Sequence, residues 1–387
     1  MATGEDFIYL DYAATTPLHP AVAERMRTVQ NTAGFNPASN HVAGRRSAAV
    51  VEQAAAQLAA LLNVAPASLV WTSGATESNN LAIQGAARLR AHRGKHLVTM
   101  QTEHKAVVDV FRALEKQGFE VSWLAPDPDG YLPVESLARA LRDDTQLVSI
   151  MHVNNETGVI QDIAALGAAC RERKVLLHVD GAQAAGKIPV DLGRLPVDLY
   201  SLTAHKFYGP KGVGALFLSQ GTAVEPLMFG GAQQQRLRPG TLAVDLIAGM
   251  GEAAAIAARR IDADLVHLAT LRRQLLQGLR HIEGLHVNGP VDGAYPGILN
   301  VGLGDIEGES LLLALEPLCV ATGSACNSRS QEPSAVLRAL GRTDLEAQSA
   351  IRFSLGRATT SADIDRAICL YQDAVRKLRA LAPERAA

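Results

Sequence analysis

Short apolar runs bounded by polar or glycine-containing stretches alternate along this chain with longer segments whose apolar positions recur at helical spacing. The runs predict strands over 69–72, 96–100, 121–124, 147–152, 175–179, 197–202 and 214–218. The periodic segments predict helices over 43–62, 77–93, 106–117, 134–141 and 163–173. Such alternation points to an α/β fold built on a largely parallel sheet. An Ala-, Leu- and Arg-rich stretch over 242–279 predicts a long helix that hands the chain to another domain. Beyond it, strands are expected over 285–288, 297–301 and 351–354, with helices over 308–315, 334–340 and 361–381. No internal repeat or low-complexity linker interrupts the pattern, so the domains are expected to pack closely.

Composition narrows the class. A chain of 387 residues suggests two domains, on a prior of roughly 150 residues each. Lys and Arg total 37 against 39 acidic residues, a formal net charge of −2. That balance gives no support to binding of nucleic acid or membrane through bulk charge. The first residues include Glu5 and Asp6 and lack a basic, apolar leader, so no signal peptide is expected. No apolar run approaches the ~20 residues that span a bilayer. Four cysteines without a CxxC pair are expected to be reduced thiols in a cytoplasmic protein.

Candidate chemistry gathers where predicted strands end. Asp180 closes one strand, with Gln183 just beyond it, and Lys206 follows the next in Ser201-Leu202-Thr203-Ala204-His205-Lys206. An acid and a lysine so placed suit pyridoxal 5'-phosphate (PLP): the amine forms a Schiff base with the cofactor aldehyde, and the carboxylate keeps the pyridine nitrogen protonated. Singly, each is equally a surface lysine or a helix-capping aspartate. Thr72-Ser73-Gly74-Ala75-Thr76-Glu77 leaves a strand and opens a helix, and its small residues and free N–H groups suit a phosphate. Ordinary N-capping by Thr76 is the plainer reading. Thr203 and His205 are further phosphate donors. His104, just past a strand, could stack on a cofactor ring and shuttle protons. Asn154 and Asn155 offer amides, or simply a polar turn. Arg352 presents a guanidinium suited to an amino-acid carboxylate. Cys326, in Gly323-Ser324-Ala325-Cys326-Asn327-Ser328, sits in a small, polar stretch and is the nucleophile candidate. Cys170, Cys319 and Cys369 read as core or helix-face fillers.

Together these segments resemble the cysteine desulfurases of the NifS/IscS type, within the fold-type I (aminotransferase class V) PLP enzymes. The resemblance covers nearly the whole chain, from Tyr9-Leu10-Asp11-Tyr12-Ala13-Ala14-Thr15-Thr16-Pro17 through the lysine segment to the cysteine loop and 351–357. It implies a large domain (16–262) with a mainly parallel seven-stranded sheet. A smaller α+β domain (1–15 with 263–387) would carry a long, mobile cysteine loop. Lys206 is implied to hold PLP, with Asp180 on the pyridine nitrogen, Gln183 on the ring phenolate, His104 stacked on the ring and Asn155 touching cofactor and substrate. Ala75, Thr76, Thr203 and His205 would surround the phosphate, and Thr241 would reach it from the other subunit of a homodimer. Arg352 would bind L-cysteine. Lys206 would move its Cα proton, and Cys326 would take its sulfur as a persulfide, releasing L-alanine.

Three expectations concern what lies beyond the reaction. No metal centre is implied, with Cys326 at most a transient iron–sulfur ligand. Gly230-Gly231-Ala232-Gln233-Gln234-Gln235-Arg236 departs from the family's triple-glycine, Glu-Arg stretch, which touches loop and subunit contacts. The sequence ends at Ala387, soon after the last helix, where relatives that dock an iron–sulfur scaffold often run longer. The sulfur acceptor is therefore a scaffold or sulfur carrier serving either iron–sulfur cluster assembly or tRNA or cofactor thiolation. A selenocysteine lyase, another PLP lyase or aminotransferase, or a non-catalytic PLP-containing adaptor stand as alternatives.

Overall fold

The computed structural model describes residues 7–322 and 332–381. Strand β1 (Ile8–Tyr9) precedes helices α1 (Pro20–Ala33) and α2 (Val42–Leu62). A run of alternating elements follows: β2 (Leu69–Thr72), α3 (Ala75–Leu89), β3 (His96–Met100), α4 (Lys105–Glu115), β4 (Glu120–Leu124), α5 (Val134–Ala140) and β5 (Thr145–Met151). It continues through α6 (Ile163–Glu172), β6 (Leu176–Asp180), β7 (Leu199–Thr203) and β8 (Gly214–Leu218) to the long helix α7 (Val244–Leu279). The remainder is β9 (Leu285–Val287), β10 (Ile298–Leu303), α8 (Gly308–Ala314), β11 (Leu318–Cys319), β12 (Ala321–Thr322), α9 (Ala335–Ala339), α10 (Asp344–Gln348), β13 (Ile351–Ser354) and α11 (Ser361–Leu381).

Seven strands form one sheet in the order β2-β8-β7-β6-β5-β3-β4. Strands β3 to β7 are mutually parallel, while β8 is antiparallel to both β2 and β7. The sheet is thus mainly parallel, as the alternation predicts, with β8 reversed. Every residue of β3, β5, β7 and β8 is buried, which is why these segments read as continuous apolar runs instead of alternating ones. Because β8 opposes both neighbours, β2 points the same way as β3 to β7. The carboxyl ends of β2, β3, β5, β6 and β7 therefore open on one edge, where α/β sheets hold ligands.

A second sheet, β12-β13-β10-β9, is antiparallel, and β1 pairs with β11. Strands of the large sheet all lie within 16–262, and those of the two small sheets lie outside it. The boundary expected at 262/263 falls inside α7, so one continuous helix serves both parts. Its buried stripe runs Ile247, Met250, Ala254, Ala257, Ile261, Asp264, Leu268, Leu271, Leu275 and Leu279, the three-four spacing of a core-facing helix. Asp264 interrupts that stripe with a carboxylate, and Arg357 Nε donates to it at 2.6 Å. The short strands β1, β11 and β12 and two α-helices fall outside the sequence expectations. In α1 the buried positions are only Val22, Val29 and Ala33, too sparse for a periodic signal. Helix α10 is a single short turn set by a capping box between Thr343 and Glu346. Among the described residues, no helix is long and apolar enough to cross a membrane.

The parallel strands also carry a polar tie through the core. His178 in β6 is fully buried, its Nδ1 2.8 Å from Ser149 Oγ in β5 and its Nε2 2.9 Å from Ser201 Oγ in β7. Burial pushes its pKa down to about 3. Since the folded value lies below the unfolded value of about 6.5, its contribution is complete above that pH and is lost as pH falls toward the folded value. Replacing His178 with Gln should make the melting temperature fall less steeply between about pH 6.5 and 4 than in the wild type. Differential scanning fluorimetry across that range checks this; parallel curves for the two proteins would refute it.

Candidate active site

A cavity of about 990 Å³ opens at the shared carboxyl edge. The turn after β2 forms one wall. Gly74 is the N-cap of α3 and contributes no side-chain cap, so Ala75 and Thr76 present first-turn N–H groups to the cavity. β8 comes close enough here that a Cβ on Gly214 would stand 2.6 Å from Gly74 Cα. From the neighbouring strand end, Thr203 and His205 line the same region. His205 Nδ1 lies 3.2 Å from Thr15 Oγ1. Burial, with the charges of Lys206, Lys187 and Lys211, pushes the His205 pKa down to about 4. This corner suits an anion.

Opposite, Asp180 ends β6 with 5% exposure. Both oxygens are engaged: Asn79 Nδ2 donates to Oδ2 at 2.7 Å, and the Ala182 N–H donates to Oδ1 at 2.9 Å. Lys206 closes the short 3-10 turn Ala204–Lys206 after β7. Its Nζ donates to the carbonyls of Ala13 at 2.6 Å and Ala14 at 2.8 Å. Gln183 Nε2 donates to the same Ala13 carbonyl at 2.8 Å. Acid, amide and amine thus come together from two strand ends and the N-terminal segment.

His104 N-caps α4, its Nδ1 accepting from the Ala106 N–H at 3.1 Å, which assigns the ring proton to Nε2. Its neighbour Glu103 is buried, and Oε1 accepts from the Met151 N–H at 2.8 Å. Burial first, and then the charge of Asp180, hold Glu103 well above the usual carboxyl range, against the opposing pull of the Met151 hydrogen bond. After β5 the two asparagines divide their tasks. Asn154 Oδ1 accepts from the Glu156 and Thr157 N–H groups, shaping the turn, while Asn155 lines the cavity. Burial raises Glu156 to about 7, and Ser334, Arg352 and His104 moderate the rise.

Arg352 comes from β13 of the small sheet and is 4% exposed. One terminal nitrogen donates to Asp11 Oδ1 at 2.7 Å and the other to the Asn155 carbonyl at 3.0 Å, while Nε has no hydrogen-bond partner. The guanidinium is therefore pre-aimed, and a substrate carboxylate would share it with Asp11.

Thr241 does not line this cavity and is exposed. The segment before it is anchored elsewhere. Gln234 accepts from the Trp71 N–H at 2.6 Å and donates to the Trp71 carbonyl at 2.9 Å, covering edge strand β2. Arg238 pairs with Glu77 at 2.8 Å. Gln234, Gln235 and Arg236 all have positive φ, at a cost of about 1 kcal/mol each for non-glycine residues. Cys326 lies outside the described residues, but Glu332, Pro333 and Ser334, close after it in sequence, line the cavity. Cys170 is buried, Cys319 half-buried and Cys369 exposed on α11. Among the described residues, no three His, Cys, Asp or Glu side chains converge on a metal position.

Sequence reasoning missed Asn79, Glu103, Glu156 and Lys187. Asn79 had a visible signal, an amide inside a helix where asparagine is a poor former. The others emerge only from burial. The residues present fit PLP: an anion corner at the start of α3, a fully hydrogen-bonded carboxylate, an amide N–H group and a lysine amine face one space large enough for the cofactor and an amino acid.

The aminotransferase class-V family model matches residues 8–367. Over 381 residues the chain is 52% identical to the cysteine desulfurase IscS of Aeromonas salmonicida, covering 97% of this chain and 94% of that one. A solved NifS-like protein aligns with a TM-score of 0.91 at 34% identity, over 96% of this chain and 100% of that one. The structure titled SspA in complex with cysteine aligns with a TM-score of 0.81 at 33% identity, over 91% and 99% of the two chains.

The Asp11–Arg352 pair ties the N-terminal segment to the small sheet. Replacing Asp11 with Ala leaves a buried cation without its counter-charge. The expected loss is about 2 kcal/mol, less than for a fully buried pair, because the Asp11 side chain is 23% exposed. Urea denaturation measures it, and a wild-type midpoint with an unchanged slope would contradict this account.

Proposed function

This chain belongs to the aminotransferase class-V family and, within it, to the cysteine desulfurases, and from that premise we propose that it uses PLP to remove sulfur from L-cysteine, yielding L-alanine and a persulfide on Cys326. What supports this reading most directly is that Lys206, Asp180 and Gln183 line one cavity together with Arg352, which comes from the small sheet. PLP bound there would supply an electron sink conjugated to the substrate Cα.

The protein's own groups divide the remaining work. Ala75, Thr76, Thr203 and His205 receive the phosphate, Asp180 the pyridine nitrogen, and Gln183 the ring oxygen. His104, which lines the cavity, would stack on the ring. Arg352 and Asn155 hold the amino-acid carboxylate so that the Cα–H bond faces Lys206. Lys206 Nζ takes the Cα proton and returns a proton to the carbon framework, with His104 Nε2 as a second proton carrier. The Cys326 thiolate attacks the substrate sulfur. One S–S bond forms as the C–S bond breaks, the bonding pair stays with carbon, and protonation there completes alanine. Atoms and electrons balance without an external oxidant.

In this reading, Thr241 extends to the phosphate of a second subunit in a homodimer. The persulfide passes to a scaffold or carrier protein, for iron–sulfur assembly or for tRNA or cofactor thiolation. Replacing Cys326 with Ala tests the central step. The wild type should take up PLP, turn yellow, and release alanine and transferable sulfur in equal amounts from L-cysteine, with the extra sulfur mapped to Cys326 by mass spectrometry. Cys326→Ala should keep the colour and lose at least about a hundredfold in rate. Unchanged sulfur release by that variant would sink the nucleophile assignment and favour a lyase.

A further inference from the structure

Lys187 takes no part in the reading above. It follows Gln183 by four residues on the turn after β6, and its Nζ donates to Gln183 Oε1 at 2.5 Å. The ring of Tyr295 lies 5.7 Å from the same Nζ. Gln183 is 5% exposed and lines the cavity, whereas Lys187 lies behind it. A glutamine amide has two faces of similar shape and opposite chemistry, so its neighbours decide which one it presents. Here one neighbour is an amine that donates and the other, the Ala13 carbonyl, can only accept. Together they set Oε1 toward Lys187 and the NH₂ group toward the cavity side. Ala13 O uses one of the two N–H bonds, leaving the other for a ligand.

We propose that Lys187 is a positioning residue: by binding Gln183 Oε1 it holds the amide with N–H toward the cavity, so that this wall selects an anionic oxygen on the bound ring. A donor on the amide oxygen also polarises the group and strengthens the hydrogen bonds its N–H groups donate. Burial above all, and then the charges of Lys206 and Arg352, push the Lys187 pKa well below the ordinary lysine value. The inference rests on the PLP reading for the ligand's identity, but the amide's orientation does not.

The test therefore has a cofactor-free arm and a loaded arm. Lys187→Met should let the Gln183 side chain leave the Ala13 carbonyl in the crystal structure of the cofactor-free protein. An amide unmoved there would overturn the proposal. In the PLP-loaded protein, the pH midpoint of the visible absorption band should rise by about one unit, because an anionic ring oxygen loses stabilisation. Lys187→Arg, which keeps a donor and a charge, should bring the midpoint back toward wild type. A midpoint that stays put while the melting temperature falls would reduce Lys187 to a structural role and overturn the proposal. If Lys187→Met fails to fold, Lys187→Gln, a neutral donor, should give an intermediate midpoint, and a wild-type value would count against the idea. Failure of the wild type to develop a visible band would strike the PLP reading instead, leaving the crystallographic arm to decide the amide's orientation.

Discussion

A carboxylate at the end of a buried central strand is the feature around which the rest is arranged. Asp180 is 5% exposed at the tip of β6, and burying a charge is unfavourable unless hydrogen bonds and opposite charge compensate. Asn79 and the Ala182 N–H satisfy its two oxygens. Asn79 belongs to α3, whose first turn also supplies the anion corner. One helix therefore fixes both ends of the space in which a cofactor would lie. The parallel arrangement of β5, β6 and β7 brings the remaining groups to the same edge.

Charge around the cavity is balanced by suppressing ionisation as much as by pairing. Glu103 sits beside Asp180, and burial and that neighbour's charge hold its pKa well above the usual carboxyl range. Glu156 is raised to about 7 at the Arg352 side. His205 is lowered to about 4 by burial and three lysines. Opposite-sign ligand groups then meet donors and acceptors already oriented.

The segment 11–16 closes the structure around this chemistry. Asp11 pairs with Arg352, the Ala13 carbonyl accepts from both Gln183 and Lys206, and the Thr16 N–H donates to the His205 carbonyl at 2.9 Å. These bonds link the start of the chain to residues nearly two hundred and more than three hundred positions later. Backbone carbonyls are invisible to motif reading, so nothing in Ala13-Ala14 marks them as partners of an amine. Lys187 was hidden for a related reason: a lysine on a turn looks solvated until its Nζ is found against an amide.

Strand ends and the residues just past them were legible from sequence, because parallel strands buried on both faces leave long apolar runs that stop where polar loop residues begin. That pattern was enough to select Asp180, Lys206, His104, Asn155, Arg352 and the Thr72–Glu77 turn, and the resemblance added Thr241 and a role for Gln183. Helix α1, with three buried positions, left too little pattern to see. Which carboxyls have raised pKa values, which asparagine shapes the turn and which lines the cavity, and how Asp11 and Lys187 aim their partners were settled only by the packed structure. The reason is physical. Local apolar spacing determines where elements begin and end, whereas desolvation and hydrogen-bond orientation depend on atoms brought together from distant segments.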